Sequence, residues 1–281
     1  MNLDEKIISA LKDLNYEEAT EIQKKAIPIA LKKRDILAAA QSGTGKTAAF
    51  LLPILTEIIA NKQPNKPVLR TLILVPTREL ASQISKAAED LGKYLDVQKL
   101  AVFGGVSTKE QEKKIAKGLD ILVATSGRLM EHLKNGTVDL SSVTTVVIDE
   151  VDTMLDMGFL EDIEKILPSV GPKRQIMMFS ATMNQNVKKL AKEFLTDPVV
   201  IEVAQQRSAV KIIDQQIVLV DEANKAAALS YIIGSKNYSQ VLVFVNMKIE
   251  ADTLVEHLEL DGLTAGCIHG DVRQTARAKV M

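Results

Sequence analysis

The sequence predicts an α/β fold, a parallel sheet with helices on both faces, followed by a partial second domain of the same build. Three observations predict it. Short apolar runs rich in β-formers recur along the 281-residue chain. Segments with apolar residues at helical spacing separate them. The runs are apolar at consecutive positions, so both faces of each strand are to be covered, and strand–helix–strand alternation makes such a sheet parallel.

In chain order the strand candidates are DILAAA (35–40), TLILVP (71–76), QKLAVF (98–103), DILVAT (120–125), TTVVID (144–149), QIMMFS (175–180) and PVVIEV (198–203). TRELASQISKAAEDLGKYL (77–95) exemplifies the helical segments between them. Right-handed crossovers place every strand's C-terminal end on one rim, where ligands bind in such sheets. At AQQRSAVK (204–211) the pattern turns polar and then restarts. IIDQQIVLV (212–220), QVLVFVN (240–246) and TAGCIHG (264–270) are expected as further strands, with helices to about 234 and near 248–260. We expect a first domain over 1–205 and an incomplete second over 206–281.

The chain is 46% hydrophobic and 25% charged, with a net charge of −1. That excludes a global basic field, so a nucleic-acid partner would be held by a local surface. One cysteine, Cys267, excludes an internal disulfide framework and fits a reducing compartment. The opening MNLDEKIISALKDL has no uninterrupted apolar core of a leader. Runs such as AAFLLPIL fall well short of the roughly 20 residues that span a bilayer. A soluble, cytoplasmic protein without a membrane partner is expected.

The chemistry lies at the expected strand ends. AQSGTGKT (40–47) follows the first strand, with Ala40 where the strict phosphate-loop pattern has a first glycine. Backbone N–H groups of Ser42, Gly43, Thr44, Gly45 and Lys46 can wrap a polyphosphate where side chains stay away. A helix starting near Lys46 adds the positive end of its dipole. Lys46 can neutralise the β- and γ-phosphates and Thr47 can ligate Mg²⁺. The acids Asp149 and Glu150 end a buried run on the same rim. The first can hold the metal, directly or through water, and the second can orient and deprotonate the attacking water. SAT (180–182) ends another buried strand, where its hydroxyls could bridge to Asp152.

AQSGTGKT, PTRELA (76–81), GG (104–105), TSGRL (125–129), DEVD (149–152), SAT and HGDVRQTAR (269–277) stand in the order and spacing of DEAD-box RNA helicases. NYEEATEIQ (15–23) resembles their adenine-reading Q motif, and LDMGF, FSATM and IEVAQQ are most similar to the bacterial RhlE-type group. The resemblance implies two RecA-like domains, the second incomplete, with ATP and Mg²⁺ as cofactors and RNA as partner. It implies that Gln23 selects adenine, that Lys46 and Thr47 hold phosphates and metal, and that Asp149 holds the metal and Glu150 the water. Ser180 and Thr182 would couple nucleotide to domain closure. Thr77, Arg78, Gly105, Thr125, Gly127 and Arg128 match positions contacting the RNA backbone. Phe244 to Asn246, Gly270, Asp271, Gln274 and Arg277 match phosphate-gripping segments of the second domain. With aromatics at 4% and no Trp, base stacking is poorly supplied, and a grip on backbone shape is expected.

The sequence departs from the family at Val151 (usually alanine), Ser126 (usually proline, softening that helix start) and Ala19 (usually proline). The aromatic that stacks on adenine would precede residue 1, so base affinity is expected to be weaker. The family's arginine-finger motif would follow Met281. Such a finger accounts for about 10³–10⁵ in rate in related phosphoryl transfer, so this chain by itself is expected to be a poor ATPase that does not unwind duplexes. Two rivals stand beside an ATP-dependent RNA helicase: a non-catalytic, nucleotide-dependent RNA-binding scaffold, and a DNA-directed helicase with a similar motor core.

Overall fold

The structure, a computed structural model, describes residues 3–41, 43–61, 67–203 and 214–280. They divide into two units, 1–206 and 207–281. In chain order the first contains α1 (Glu5–Asp13), α2 (Glu21–Leu31), β1 (Ile36–Ala39), α3 (Lys46–Ala60), β2 (Thr71–Val75), α4 (Arg78–Leu91), β3 (Lys99–Val102) and α5 (Thr108–Ile115). β4 (Ile121–Thr125), α6 (Ser126–Lys134), β5 (Thr145–Ile148), α7 (Val151–Asp156), α8 (Leu160–Ile166), β6 (Gln175–Ser180), α9 (Gln185–Phe194) and β7 (Val199–Glu202) follow. Each of the first seven expected runs thus holds one strand, most trimmed by a residue at one or both ends.

All seven strands pair in parallel, in the order β3-β4-β2-β5-β6-β1-β7. Alternate residues point to opposite faces, and both faces are filled. Ile73, Val75, Ile121, Val123, Val147, Met177 and Phe179 join one core with residues of α2, α3 and α4. Leu72, Leu74, Leu122, Ala124, Val146, Ile148, Ile176 and Met178 join the other with residues of α6, α7, α8 and α9. Burying a side chain of this size stabilises by about 1.5–3 kcal/mol, so consecutive apolar residues are worth keeping only in a sheet buried on both sides. Val151 is fully buried in the second core, as its apolar side chain leads one to expect.

Local sequence fixes several helix starts. Thr77 Oγ1 accepts from Leu80 N at 3.2 Å to cap α4, and Asn184 Oδ1 accepts from Val187 N at 2.9 Å to cap α9. α6 begins at Ser126, with Thr125 at its N-cap position and no side-chain bond capping it.

Strand order divides the C-terminal rim in two. β5, β6 and β1 are consecutive, so the segments leaving them are neighbours: the glycine loop after β1, DEVD after β5 and SAT after β6 between them. Ala39 is level with Ser180 and Ile148 with Met178, which brings all three exits to one height. β3, β4 and β2 form the other half, with Val75 level with Thr125 and Val102 level with Ala124. The halves meet where Asp149 N donates to Leu74 O at 3.0 Å.

In the second unit, α10 (Lys225–Ser235), α11 (Lys248–Leu260) and α12 (Gln274–Val280) form as helices. The expected strands do not. No ladder is present among the described residues of 214–220, 240–246 and 264–270, and the part of the first run at 212–213 lies outside them. Ile217, Leu219, Leu242 and Phe244 are 91%, 93%, 78% and 87% exposed. The runs have strand composition, but a strand apolar on both faces is stabilised only when layers cover both, and Leu258 is the unit's only buried hydrophobic among the described residues.

Candidate active site

The glycine loop turns through left-handed backbone at Gly43 (φ 80°) and Gly45 (φ 91°), a conformation costly for residues with a Cβ. A Cβ at Gly43 would meet nothing within 4 Å, so the loop leaves open the space a phosphate would fill. A Cβ at Gly45 would stand 2.5 Å from Gln23 Nε2. Thr44 Oγ1 donates to Gln41 O at 2.7 Å and closes the turn. Ser42, expected among the phosphate-wrapping residues, lies outside the described residues.

Lys46 opens α3 and is 6% exposed. Its Nζ lies 3.8 Å from Asp149 Oδ1, yet it has no hydrogen-bond partner. A buried ammonium without a bonded partner is costly, and three unsatisfied donors on the residue that follows the glycine turn fit a polyphosphate. Asp149 is 2% exposed. Burial pushes its carboxyl up to about 6, against the opposing pull of Lys46 and of the Glu150 amide, which donates to Oδ1 at 3.0 Å. A carboxyl so strongly perturbed by burial, beside an unbonded ammonium, marks a candidate functional site, and its ionised form offers oxygen ligands to a metal ion. Thr47 follows Lys46 on α3, on the same rim. Together these residues fit magnesium and a nucleoside triphosphate. Glu150 stands at the N-cap position of α7 with left-handed backbone (φ 54°), a strained conformation of the kind found at functional sites.

Gln23 is 3% exposed and both ends of its amide are engaged. Oε1 accepts from Thr20 N at 3.0 Å and Nε2 donates to Gly45 O at 3.1 Å. It therefore ties α2 to the glycine loop. An adenine would use the amide's second hydrogen and second lone pair.

Beside the SAT hydroxyls expected at Asp152, backbone amides of the same segment reach it. Ala181 N and Thr182 N donate to Asp152 Oδ1 and Oδ2 at 3.4 and 2.9 Å. Ser180 Oγ is fully buried beside that carboxylate and meets no hydrogen-bond geometry. Burial alone would raise the Asp152 pKa, but the neighbouring hydroxyls and donated amides hold it below the ordinary 3.8. A depressed carboxylate stabilises the fold above that ordinary value, and the contribution is lost as pH falls through the folded value. Asp152→Asn is therefore expected to cost about 1–3 kcal/mol at pH 7. Melting temperatures of the two proteins should converge below about pH 3.8, and a gap independent of pH would refute the linkage.

On the other half of the rim, Arg78 opens α4 and lies against the glycine pair. A Cβ at Gly105 would run into the Arg78 guanidinium where it now lies, and the left-handed backbone there (φ 84°) itself favours glycine. Thr77 spends its hydroxyl as the α4 cap. Thr125 precedes α6, and a Cβ at Gly127 would meet nothing within 4 Å. Arg128, expected to reach RNA, is 9% exposed at its side chain and bonded within the protein. It donates to Val106 O at 3.1 Å and Gln111 Oε1 at 2.9 Å, and pairs with Glu131 at 2.9 Å. Gln111 and His132, both buried, carried no signal in the sequence: neither belongs to a motif, and each sits in an ordinary polar helix.

In the second unit, Asn246 N and Met247 N donate to Glu250 Oε2 at 3.2 and 3.1 Å. Asp271 pairs with Lys248 at 2.9 Å, beside Gly270. His269 Nε2 lies 3.0 Å from Asp252 Oδ1, and its Nδ1 accepts from Asp271 N at 3.4 Å, which one tautomer satisfies. Arg277 lies on α12; the Gln274 side chain lies outside what is described.

Fold and rim define a nucleotide-binding protein of the RecA-like class. The family profile described as DEAD/DEAH box helicase matches residues 20–190. The chain is 37% identical over 276 residues to the DEAD-box ATP-dependent RNA helicase CshA of Bacillus subtilis, covering 98% of this chain and 55% of that protein. It is 38% identical over 282 residues to the DEAD-box ATP-dependent RNA helicase RhpA of Helicobacter pylori, covering 100% of this chain and 56% of that protein. A crystal structure of a DEAD box protein from the hyperthermophile Methanococcus jannaschii superposes with a TM-score of 0.68 at 35% identity, covering 100% of this chain and 74% of that one. The chain belongs to the DEAD/DEAH box helicase family and spans about half the length of these two relatives. No helix among its described residues is long and apolar enough to cross a membrane.

Proposed function

We propose that this chain carries the ATP-binding part, and part of the RNA-binding surface, of a cytoplasmic ATP-dependent RNA helicase. The single observation that carries the reading is the buried, unbonded ammonium of Lys46 facing Asp149 beside an open glycine turn. The names of the relatives, ATP-dependent RNA helicases, support it.

In this reading Gln23 recognises adenine, and the backbone from Ser42 to Lys46 wraps the phosphates. Lys46 neutralises the β- and γ-oxygens, while Thr47 and Asp149 hold Mg²⁺. Bound there, magnesium-ATP supplies an electrophilic γ-phosphorus and a good leaving group. Glu150 takes the proton of the attacking water. Asp152, through the amides of Ala181 and Thr182, relates the state of the acidic loop to β6, where Ser180 and Thr182 pass it toward domain closure. Arg78, Gly105, Thr125 and Gly127 hold an RNA backbone, with Thr77 and Arg128 shaping that surface. In the second unit, Asn246, Gly270, Asp271, Gln274 and Arg277 belong to segments whose part, in this reading, is to grip phosphates.

Equilibrium titration tests this. Mg²⁺-dependent ATP binding is expected, with ATP and single-stranded RNA each tightening the other's binding by the same factor. RNA should compete better than a matched DNA strand, because the 2′-hydroxyl distinguishes them. Absence of Mg²⁺-dependent ATP binding would refute the reading, and equal competition by DNA would refute its RNA preference.

A further inference from the structure

Gln111 lies on α5, outside the motifs singled out in the sequence. It is 5% exposed, and its amide joins three segments. Nε2 donates to Phe103 O at 3.1 Å. Oε1 accepts from Arg128 Nη1 at 2.9 Å and lies 3.0 Å from His132 Nε2. The orientation is forced: a guanidinium only donates and a carbonyl only accepts, so the reversed amide would lose both bonds. Because Oε1 only accepts, His132 carries its proton on Nε2. Its Nδ1 is buried without a partner, and burial, with Arg128 beside it, keeps the ring's pKa below the ordinary value.

The Gly104–Gly105 pair is held from both ends through this amide. Phe103 precedes the pair and bonds Gln111 directly. Val106 follows it and bonds Arg128, which Gln111 orients. The pair in turn leaves the room that the Arg78 guanidinium occupies. The segments leaving β3 and β4 are thus tied together through one uncharged side chain, and the Arg78 guanidinium, from the β2 exit, lies against the pair they hold. We infer that Gln111 is a positioning residue, which shapes the glycine-pair loop and Arg128 into a preformed site for a nucleic-acid backbone without touching it. The inference rests on the proposed RNA-binding reading for the ligand, though the geometry it asserts does not.

Two variants of the 281-residue chain test it: Gln111→Met, which keeps length and removes all three bonds, and Gln111→Glu, which keeps the acceptor toward Arg128 and His132 but sets a carboxylate oxygen against Phe103 O. Circular dichroism and the ATP affinity check that each variant is folded. Amide hydrogen exchange without ligand reads the positioning itself. Exchange across 103–107 is expected to rise about tenfold or more in Gln111→Met, with the glycine loop at 41–47 unchanged. Binding of a single-stranded oligoribonucleotide reads the consequence. Affinity is expected to fall roughly 3- to 30-fold, with the slope of log affinity against log salt shallower by up to about 1. A merely structural role would lower stability and leave that slope alone. Unchanged exchange across 103–107 in folded Gln111→Met overturns the inference. Raised exchange with unchanged RNA affinity upholds the positioning and overturns the assignment of the loop to RNA.

Discussion

Lys46→Ala is expected to weaken magnesium-ATP binding at least about a hundredfold, roughly 3 kcal/mol. The native ammonium is buried, 3.8 Å from one carboxylate and hydrogen-bonded to nothing, so its burial is a cost that a triphosphate would offset. Removing it takes away charge-assisted bonds to the phosphates, each worth about 1.5–3 kcal/mol. It also leaves Asp149 buried without the opposing charge that holds its pKa down, so more of that carboxyl is protonated near neutrality and fewer ligands are ready for Mg²⁺. Fold stability should change little, because neutralising Asp149 is an inexpensive response to losing its partner. Titration with a fluorescent ATP analogue, beside a thermal melt, measures both. Retention of native affinity by Lys46→Ala would remove the glycine loop from the nucleotide site.

Glu150→Gln is expected to keep ATP binding within a few-fold and to slow hydrolysis by about 10²–10⁴, the usual range for losing a general base. Glutamine keeps the volume and a hydrogen-bond acceptor, but its amide cannot take the proton of the attacking water. Glu150 is well placed for that task. It adjoins the buried Asp149, its backbone is held in the left-handed region at the start of α7, and its side chain is part-exposed where water can enter. Single-turnover hydrolysis with enzyme in excess separates the chemical step from binding and from phosphate release. Hydrolysis at the native rate in the variant would assign the water to another group.

Much of the first unit was legible in the sequence, for a physical reason. Its strands lie between two apolar layers, so their signal is a short run without polar gaps, and all seven such runs became strands. The same signal failed in the second unit. Leu242 and Phe244 have the composition of a buried strand and stand in solvent, because strand composition expresses a demand for cover that neighbouring layers must meet. At the site, the meeting of Gly45, Lys46 and Asp149 on one rim was legible because each stands where a buried strand run ends. The partners of Asp152 were half legible: proximity to SAT followed from two strand ends, but hydroxyl and backbone donors cannot be told apart before the loop has a shape. Arg128 was read as a ligand-facing cation, and Gln23 as an adenine reader; the fold shows the first bonded inward and the second also bracing the glycine loop.

By itself, then, the sequence determined the layered fold of the first unit, the residue types of the glycine and acidic loops, and the rim on which they meet, since each follows from residue type and periodicity. Only the tertiary structure decided that the SAT amides reach Asp152, that Arg78 lies against Gly105, and that Gln111 joins α5 to α6 and to the segment leaving β3. A hydrogen bond between segments far apart in the chain has no local period or spacing, and it exists only once packing has brought donor and acceptor within about 3 Å.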